Sequence, residues 1–254
     1  MWKLLFKMIF YIGVAVMIYH APRILSFLRQ FHVFLKYIYL DWKKMKSDPD
    51  SGKTFHMFGV KMFCGRQGSG KTMGMTWYLE KIRKKYPECL IYTNFGYKYE
   101  TAPLQSLHDL LKFRNGNKGV VFAIDEIQNE WSSNESKNFP PELLSTITQQ
   151  RKDKIMILCT SQVFSRVAKQ LREQCYEVIE CITFYGRWTY LRAYDREDYD
   201  TYLSTSSEKK RKKVFKKWAA DFVQPDELRE MYDSYAKIER LSKMELVENP
   251  LAQA

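Results

Sequence analysis

The chain has 254 residues, a formal net charge of +12 and 45% hydrophobic residues. A hydrophobic fraction of this size excludes global disorder and is ample for a buried core. The positive charge favours a polyanionic partner, either nucleic acid or an anionic membrane surface. The five cysteines form no C-x-x-C pair and the four histidines are scattered, so we expect core thiols in a reducing compartment and no zinc site.

The chain opens with an apolar segment, Leu4 to Leu28, which contains the uncharged stretch Met8 to Tyr19. We predict a membrane anchor here, although the uncharged stretch is shorter than the roughly 20 residues that span a bilayer. A signal peptide and a buried amphipathic helix are the alternatives. Ile24 to Leu40 has apolar residues at helical spacing, which suits either a bilayer surface or pairing with neighbouring subunits. The many cations after the anchor favour a cytosolic location for the rest of the chain.

A phosphate-binding motif follows the anchor. Residues 65–72 read G-R-Q-G-S-G-K-T and fit G-x-x-x-x-G-K-[ST], between a predicted strand, Val60–Cys64, and a helical pattern, Met73–Lys85. The glycines let successive backbone N–H groups point at the phosphates. We expect Lys71 to neutralise the terminal phosphates of ATP and Thr72 to complete a Mg²⁺ shell. The predicted nucleotide contacts are Gly65, Arg66, Gln67, Gly68, Ser69, Gly70, Lys71 and Thr72.

Two acids follow the buried apolar run Val120–Ile124, where ATP hydrolysis would need them. We expect Asp125 to reach the Mg²⁺ shell and Glu126 to polarise the attacking water. The next strand ends in Thr160-Ser161-Gln162, so Gln162 is placed to sense the terminal phosphate or align the water. A small-molecule kinase would need no such glutamate, so the Asp-Glu pair favours hydrolysis.

An arginine that stabilises developing negative charge is also expected. Arg151 precedes the strand that ends at Gln162, and we predict that it acts in its own site or as a finger in a neighbouring one. Arg66, within the phosphate loop, is the competing candidate.

Strand-like runs alternate with helical patterns beyond the phosphate loop, which predicts an α/β fold with a central, mostly parallel sheet. From Cys175 to Ala193 the residues are β-branched and aromatic, with a hairpin turn at Tyr185–Arg187. The basic run Lys209–Lys217 has interleaved aromatic residues, which suits phosphate backbone or anionic headgroups; a solvated basic helix is the alternative. Pro225 begins a further predicted helix, with apolar positions continuing to Leu241.

Composition divides the chain into four predicted parts. A membrane anchor with an amphipathic helix occupies residues 1–46, and a polar, turn-forming linker occupies 47–56. The nucleotide-binding domain covers 57–200, and a basic, helical C-terminal extension covers 201–254.

The order and spacing of these motifs resemble the zonular occludens toxin (Zot-like) family, which contains the filamentous-phage morphogenesis ATPase. The motifs are the phosphate loop, then Ile91-Tyr92-Thr93-Asn94, then Ile124-Asp125-Glu126, then Arg151 ahead of Leu158-Cys159-Thr160-Ser161-Gln162. The resemblance covers residues from about Met57 to Ala193. The family is in turn similar to the wider HerA/FtsK group of DNA pumps.

The resemblance implies an additional-strand P-loop core, Mg-ATP hydrolysis, ring-like homo-oligomers with hexamers favoured, and membrane attachment. It also implies a role in extruding or packaging viral DNA with coat or assembly proteins, at a host or bacterial inner membrane with the ATPase domain in the cytosol. One departure is that the predicted anchor precedes the ATPase domain, whereas in the filamentous-phage proteins it follows.

Three functions therefore compete. We favour a membrane-anchored oligomeric ATPase that moves DNA, or DNA with its coat, with a DNA translocase of the HerA/FtsK group as a close variant. The second is an assembly scaffold that ATP merely switches. The third, disfavoured, is a soluble kinase with an apolar N-terminus.

Overall fold

The computed structural model describes residues 2–47, 54–106, 108–134, 139–211 and 213–232. The chain divides into two compact units, Met1–Gly52 and Lys53–Ala254. The described helices are α1 (Trp2–Ser47), α2 (Lys71–Lys85), α3 (Asp109–Lys112), α4 (Pro141–Thr148), α5 (Gln150–Asp153), α6 (Lys169–Glu173), α7 (Arg196–Ser204), α8 (Glu208–Arg211) and α9 (Asp226–Arg229). The described strands are β1 (Gly59–Cys64), β2 (Leu90–Thr93), β3 (Ala102–Pro103), β4 (Val120–Ile124), β5 (Ile155–Ser161), β6 (Cys175–Phe184), β7 (Trp188–Tyr194) and β8 (Trp218–Val223).

The first unit contains one helix, α1, which continues through Pro22. The predicted anchor and the predicted amphipathic helix are therefore a single element. Large apolar side chains along its second half are exposed, among them Phe31, Phe34, Ile38 and Trp42. No described helix has the length and apolar character needed to span a membrane. The predicted linker over 47–56 lies mostly outside the described residues.

The second unit is built on an eight-stranded sheet with the order β3-β2-β4-β5-β1-β6-β7-β8. Neighbouring strands from β3 to β6 are parallel, whereas the β6–β7 and β7–β8 pairs are antiparallel, so β7 alone among the described strands runs opposite to the others. The prediction of an α/β fold with a mostly parallel sheet is confirmed. β5 is an additional strand between β1, which leads into the phosphate loop, and β4, which leads into the acidic pair.

The sheet is covered on both faces, which explains why β1, β4 and β5 are buried at every residue. One hydrophobic cluster lies between the sheet and α2, with Met75 and Leu79 at its centre. The other includes side chains of α3, α4, α6 and α7 on the opposite face. Strands buried on both faces read as continuous apolar runs, and this made them recognisable in the sequence.

Parallel pairing brings the ends of the central strands to one side of the sheet, which we call the carboxyl edge; the opposite side is the amino edge. Cys64 of β1 pairs with Ser161 of β5, and Ile124 of β4 pairs with Cys159. The residues that follow each strand, Gly65, Asp125 and Gln162, therefore leave the sheet side by side.

The prediction of a helical extension after residue 200 is wrong for its central part. β8 pairs antiparallel with β7 and belongs to the sheet. Its exposure alternates along the strand, and Phe222 stacks on Trp77 of α2 with ring centroids 4.8 Å apart. The helix predicted from Pro225 ends at Arg229 as α9, and its predicted continuation is wrong at Met231 and Tyr232, because Tyr232 forms an isolated bridge with Tyr97. The rest of the predicted continuation, from residue 233 to Leu241, lies outside the described residues. The hairpin turn predicted at Tyr185–Arg187 connects β6 to β7, as expected.

Candidate nucleotide-binding site

The phosphate loop connects β1 to α2 at the carboxyl edge. Gly70 precedes the helix with φ 82°, a conformation that favours glycine. A Cβ atom at this position would lie 2.3 Å from Thr183 Oγ1 on β6. Backbone conformation and the lack of space therefore both require glycine here, and α2 begins immediately after it with its N-terminus at the loop.

Two side chains of the first turn of α2 lie where the motif predicts. Lys71 is buried, and its Nζ donates to the Arg66 carbonyl oxygen at 3.1 Å, across the loop. The Thr72 hydroxyl donates to Asp125 Oδ1 at 2.9 Å. The phosphate loop and the acidic pair, predicted separately, therefore share one site.

Asp125 is held from several directions. Its Oδ1 also accepts a hydrogen bond from Thr160 Oγ1 at 2.7 Å. Asn94, the residue after β2, accepts from the Asp125 backbone N–H at 2.7 Å and donates through Nδ2 to the Asp125 carbonyl oxygen at 3.1 Å. Sequence reasoning quoted Asn94 at the end of its strand but assigned it no role.

Glu126 lies in the left-handed region with φ 51°. Its backbone N–H donates to Thr160 Oγ1 at 2.8 Å. Gln162 Nε2 donates to one carboxylate oxygen at 3.1 Å, and Asn129 Nδ2 donates to the other at 3.0 Å. Two amides thus fix the orientation of the carboxylate. Sequence reasoning found Gln162 by its place at the strand end and missed Asn129, which follows Glu126 by one helical turn.

The oxygen atoms of Thr72 and Asp125 suit Mg²⁺, which prefers hard oxygen ligands and keeps phosphate and water among them. Among the described residues, no group of three or more His, Cys, Asp or Glu side chains could hold a metal ion.

Arg151 does not lie in this site. It belongs to α5, which precedes β5, and its guanidinium lies 5.7 Å from the ring centroid of Phe58, just before β1. β5 has seven residues, so the amino edge is roughly 20 Å from the carboxyl edge. The prediction that Arg151 acts in its own site is therefore wrong, and a role in a neighbouring chain stays a prediction. Arg66 remains in the loop, with an exposed side chain.

The site combines backbone donors at a helix N-terminus, a lysine, a hydroxyl beside a carboxylate, and a second carboxylate oriented by amides. The fold and this site define a P-loop nucleotide-binding domain. The family model of zonular occludens toxin (Zot) matches residues 59–237, and the chain belongs to this family. The resemblance noted from the sequence is thereby confirmed.

Matches among solved structures include the N-terminal domain of zonular occludens toxin from Neisseria meningitidis, with 17% identity and a TM-score of 0.49 over 70% of this chain and 100% of that one. The genome packaging NTPase B204 from Sulfolobus turreted icosahedral virus 2, solved with sulfate, has 14% identity and a TM-score of 0.40 over 55% and 92%. Thermomonospora curvata EccC has 8% identity and a TM-score of 0.39 over 54% and 35%. No curated protein matches the chain.

Proposed function

We propose that this protein is a membrane-associated, oligomeric ATPase that couples Mg-ATP hydrolysis to the movement of DNA, or of DNA with its coat, during virus assembly or extrusion. The observation that carries the ATPase assignment is the 2.9 Å hydrogen bond from Thr72 to Asp125, with Glu126 as the next residue. It brings a phosphate loop and a candidate water-activating carboxylate to one edge of the sheet.

Each side chain has a role in hydrolysis. The loop N–H groups and Lys71 hold the phosphates. Thr72 and Asp125 would hold Mg²⁺, which would neutralise negative charge on the phosphates. Glu126 accepts a proton from the attacking water. The hydrogen bonds from Gln162 and Asn129 limit the positions that this carboxylate can take.

The N-terminal unit supports the membrane part of the proposal. α1 exposes large apolar and aromatic side chains near Lys36, Lys43 and Lys44. Apolar residues with nearby lysines favour binding to an anionic bilayer, so we place the ATPase domain at the cytosolic side of an inner membrane. Family membership supports a homo-oligomeric ring, with a hexamer favoured, and viral coat or assembly proteins as further partners.

The deciding experiment is the ATPase rate of the full chain in detergent, without DNA and with single- or double-stranded DNA. A Lys71→Ala variant is the control for contaminating ATPases. We expect Mg-dependent hydrolysis that DNA stimulates and that the variant lacks. Slow hydrolysis at a rate that DNA does not change would instead support an assembly scaffold regulated by ATP. Phosphoryl transfer to a small acceptor would contradict both the DNA-moving ATPase and the scaffold.

A further inference from the structure

The sheet order determines how a nucleotide must lie across the carboxyl edge. β5 and β4, which carry Gln162, Asp125 and Glu126, lie on one side of β1. The γ-phosphate must face Glu126 for hydrolysis, so the triphosphate extends toward that side. The nucleoside half must then leave on the other side of β1, where β6 and β7 lie.

The β6–β7 hairpin is attached directly to the phosphate loop on this side. Thr183 Oγ1 donates to the Ser69 carbonyl oxygen at 3.0 Å and lies 2.9 Å from Thr189 Oγ1 on β7. Gln224 Nε2 donates to Thr189 Oγ1 at 2.7 Å, and Gln224 is buried. The hairpin and the loop are therefore held in a fixed relation to one another.

The tip of this hairpin presents aromatic side chains to solvent. Tyr185, two residues beyond Thr183, is fully exposed, and its φ of 48° is rare for a non-glycine residue. Phe184 and Trp188, at the base of the turn, are about half exposed. Arg187, in the turn, forms an ion pair with Asp226 at 2.6 Å. Neighbouring strands lie about 4.8 Å apart, so β7 is roughly 10 Å from β1, within the length of a nucleoside triphosphate.

We infer that the tip of the β6–β7 hairpin is the nucleoside subsite, where the Tyr185 ring stacks on the purine base of the triphosphate held by the phosphate loop. This inference rests on the proposed nucleotide binding. An aromatic face recognises a base by stacking and not by its hydrogen-bonding edge, so we expect ATP and GTP to bind with similar affinity.

The test is calorimetric titration of the full chain in detergent with a non-hydrolysable Mg-ATP analogue, the equivalent GTP analogue and inorganic triphosphate, which has no base. The variants are Tyr185→Ala and Tyr185→Phe. Phe215→Ala is the matched control, because Phe215 is also an exposed aromatic residue but lies before β8, toward the amino edge.

We expect Tyr185→Ala to weaken binding of both nucleotide analogues by about tenfold, typical of a lost stacking contact, and to leave triphosphate binding unchanged. Tyr185→Phe and Phe215→Ala should bind like the wild type. Unchanged nucleotide affinity in Tyr185→Ala, or an equal loss of triphosphate affinity, would overturn the subsite. A wild-type protein that binds none of the three ligands would refute the nucleotide site itself, and the subsite with it.

Discussion

The Thr72 hydroxyl and the Asp125 carboxylate are 53 residues apart in the chain and 2.9 Å apart in the fold. The contact exists because β1 and β4 end at the same edge of a parallel sheet, with β5 between them. Asp125 therefore contacts the phosphate loop, and the neighbouring Glu126, which accepts hydrogen bonds from Gln162 and Asn129, is the carboxylate that we propose as the base for water.

The first prediction separates these two acids. Glu126→Gln should retain Mg-ATP binding and lose turnover by about 10²–10⁴-fold, because the amide cannot take a proton. Asp125→Asn should instead weaken Mg-ATP binding, since it removes charge beside Thr72. Binding is measured with a fluorescent ATP analogue and turnover by phosphate release. Normal hydrolysis by Glu126→Gln would exclude the role in water activation.

A second prediction concerns the space beside the phosphate loop. Gly70→Ala should destabilise the protein by more than the roughly 1–2 kcal/mol that a left-handed alanine costs, because its Cβ would also collide with Thr183 Oγ1. Gly68→Ala is the control, since Gly68 also has positive φ, at 75°, but nothing within 4 Å of its Cβ position. Urea unfolding of both variants gives the two free energies. Equal losses would mean that the loop does not pack on the hairpin as described.

The site residues that could be found from the sequence are those that belong to short motifs. A glycine-rich octapeptide and a strand that ends in two acids have local signatures, so the two motifs that meet through Thr72 and Asp125 could both be found in the sequence. Asn129 and the two hydrogen bonds of Asn94 were not foreseen, because an asparagine after a strand or in a loop is common, and only the strand order reveals what it faces.

Arg151 and β8 show two other limits. In a parallel sheet, a residue before a strand lies at the amino edge, so the position of Arg151 ahead of β5 already argued against contact with the phosphates of its own chain. The basic run from Lys209 to Lys217 led us to assign the whole region after residue 200 to a helical extension. The short strand β8 that follows the run was therefore missed. Its pairing with β7 is a long-range contact that local periodicity cannot supply.

The third prediction tests Asn94. Asn94→Ala should lower the free energy of unfolding by about 1–3 kcal/mol, because the Asp125 N–H and carbonyl lose their side-chain partner. Asn94→Asp can still accept from the N–H but cannot donate to the carbonyl, and it adds a negative charge beside Asp125. We therefore expect it to be at least as damaging to turnover as alanine. Wild-type stability and turnover in both variants would contradict the positioning role.

The fourth prediction concerns the cysteines, which are all free and buried. Burial raises the pKa of Cys89 and of Cys175 to about 12 and holds that of Cys64 well above its usual range. Since only the thiolate reacts, alkylation of the native protein should be slow at pH 7.5 and still rising with pH at pH 9. Mass spectrometry should count five labels in urea. Rapid native labelling of any of these thiols would show that its part of the core is open.

The last prediction tests whether the basic run binds DNA. Lys209, Lys213 and Lys216 are exposed, whereas Lys217 is paired with Asp195 at 2.7 Å. If the three exposed lysines contact phosphates, their replacement by glutamine should reduce the slope of log K against log salt by roughly 3 for duplex DNA and roughly 2 for single strands. The control replaces the exposed Lys84, Lys85 and Lys98, which removes the same charge elsewhere. Because net charge falls equally in both, only a difference in slope assigns the contacts to the run, and equal slopes would make it an ordinary solvated surface.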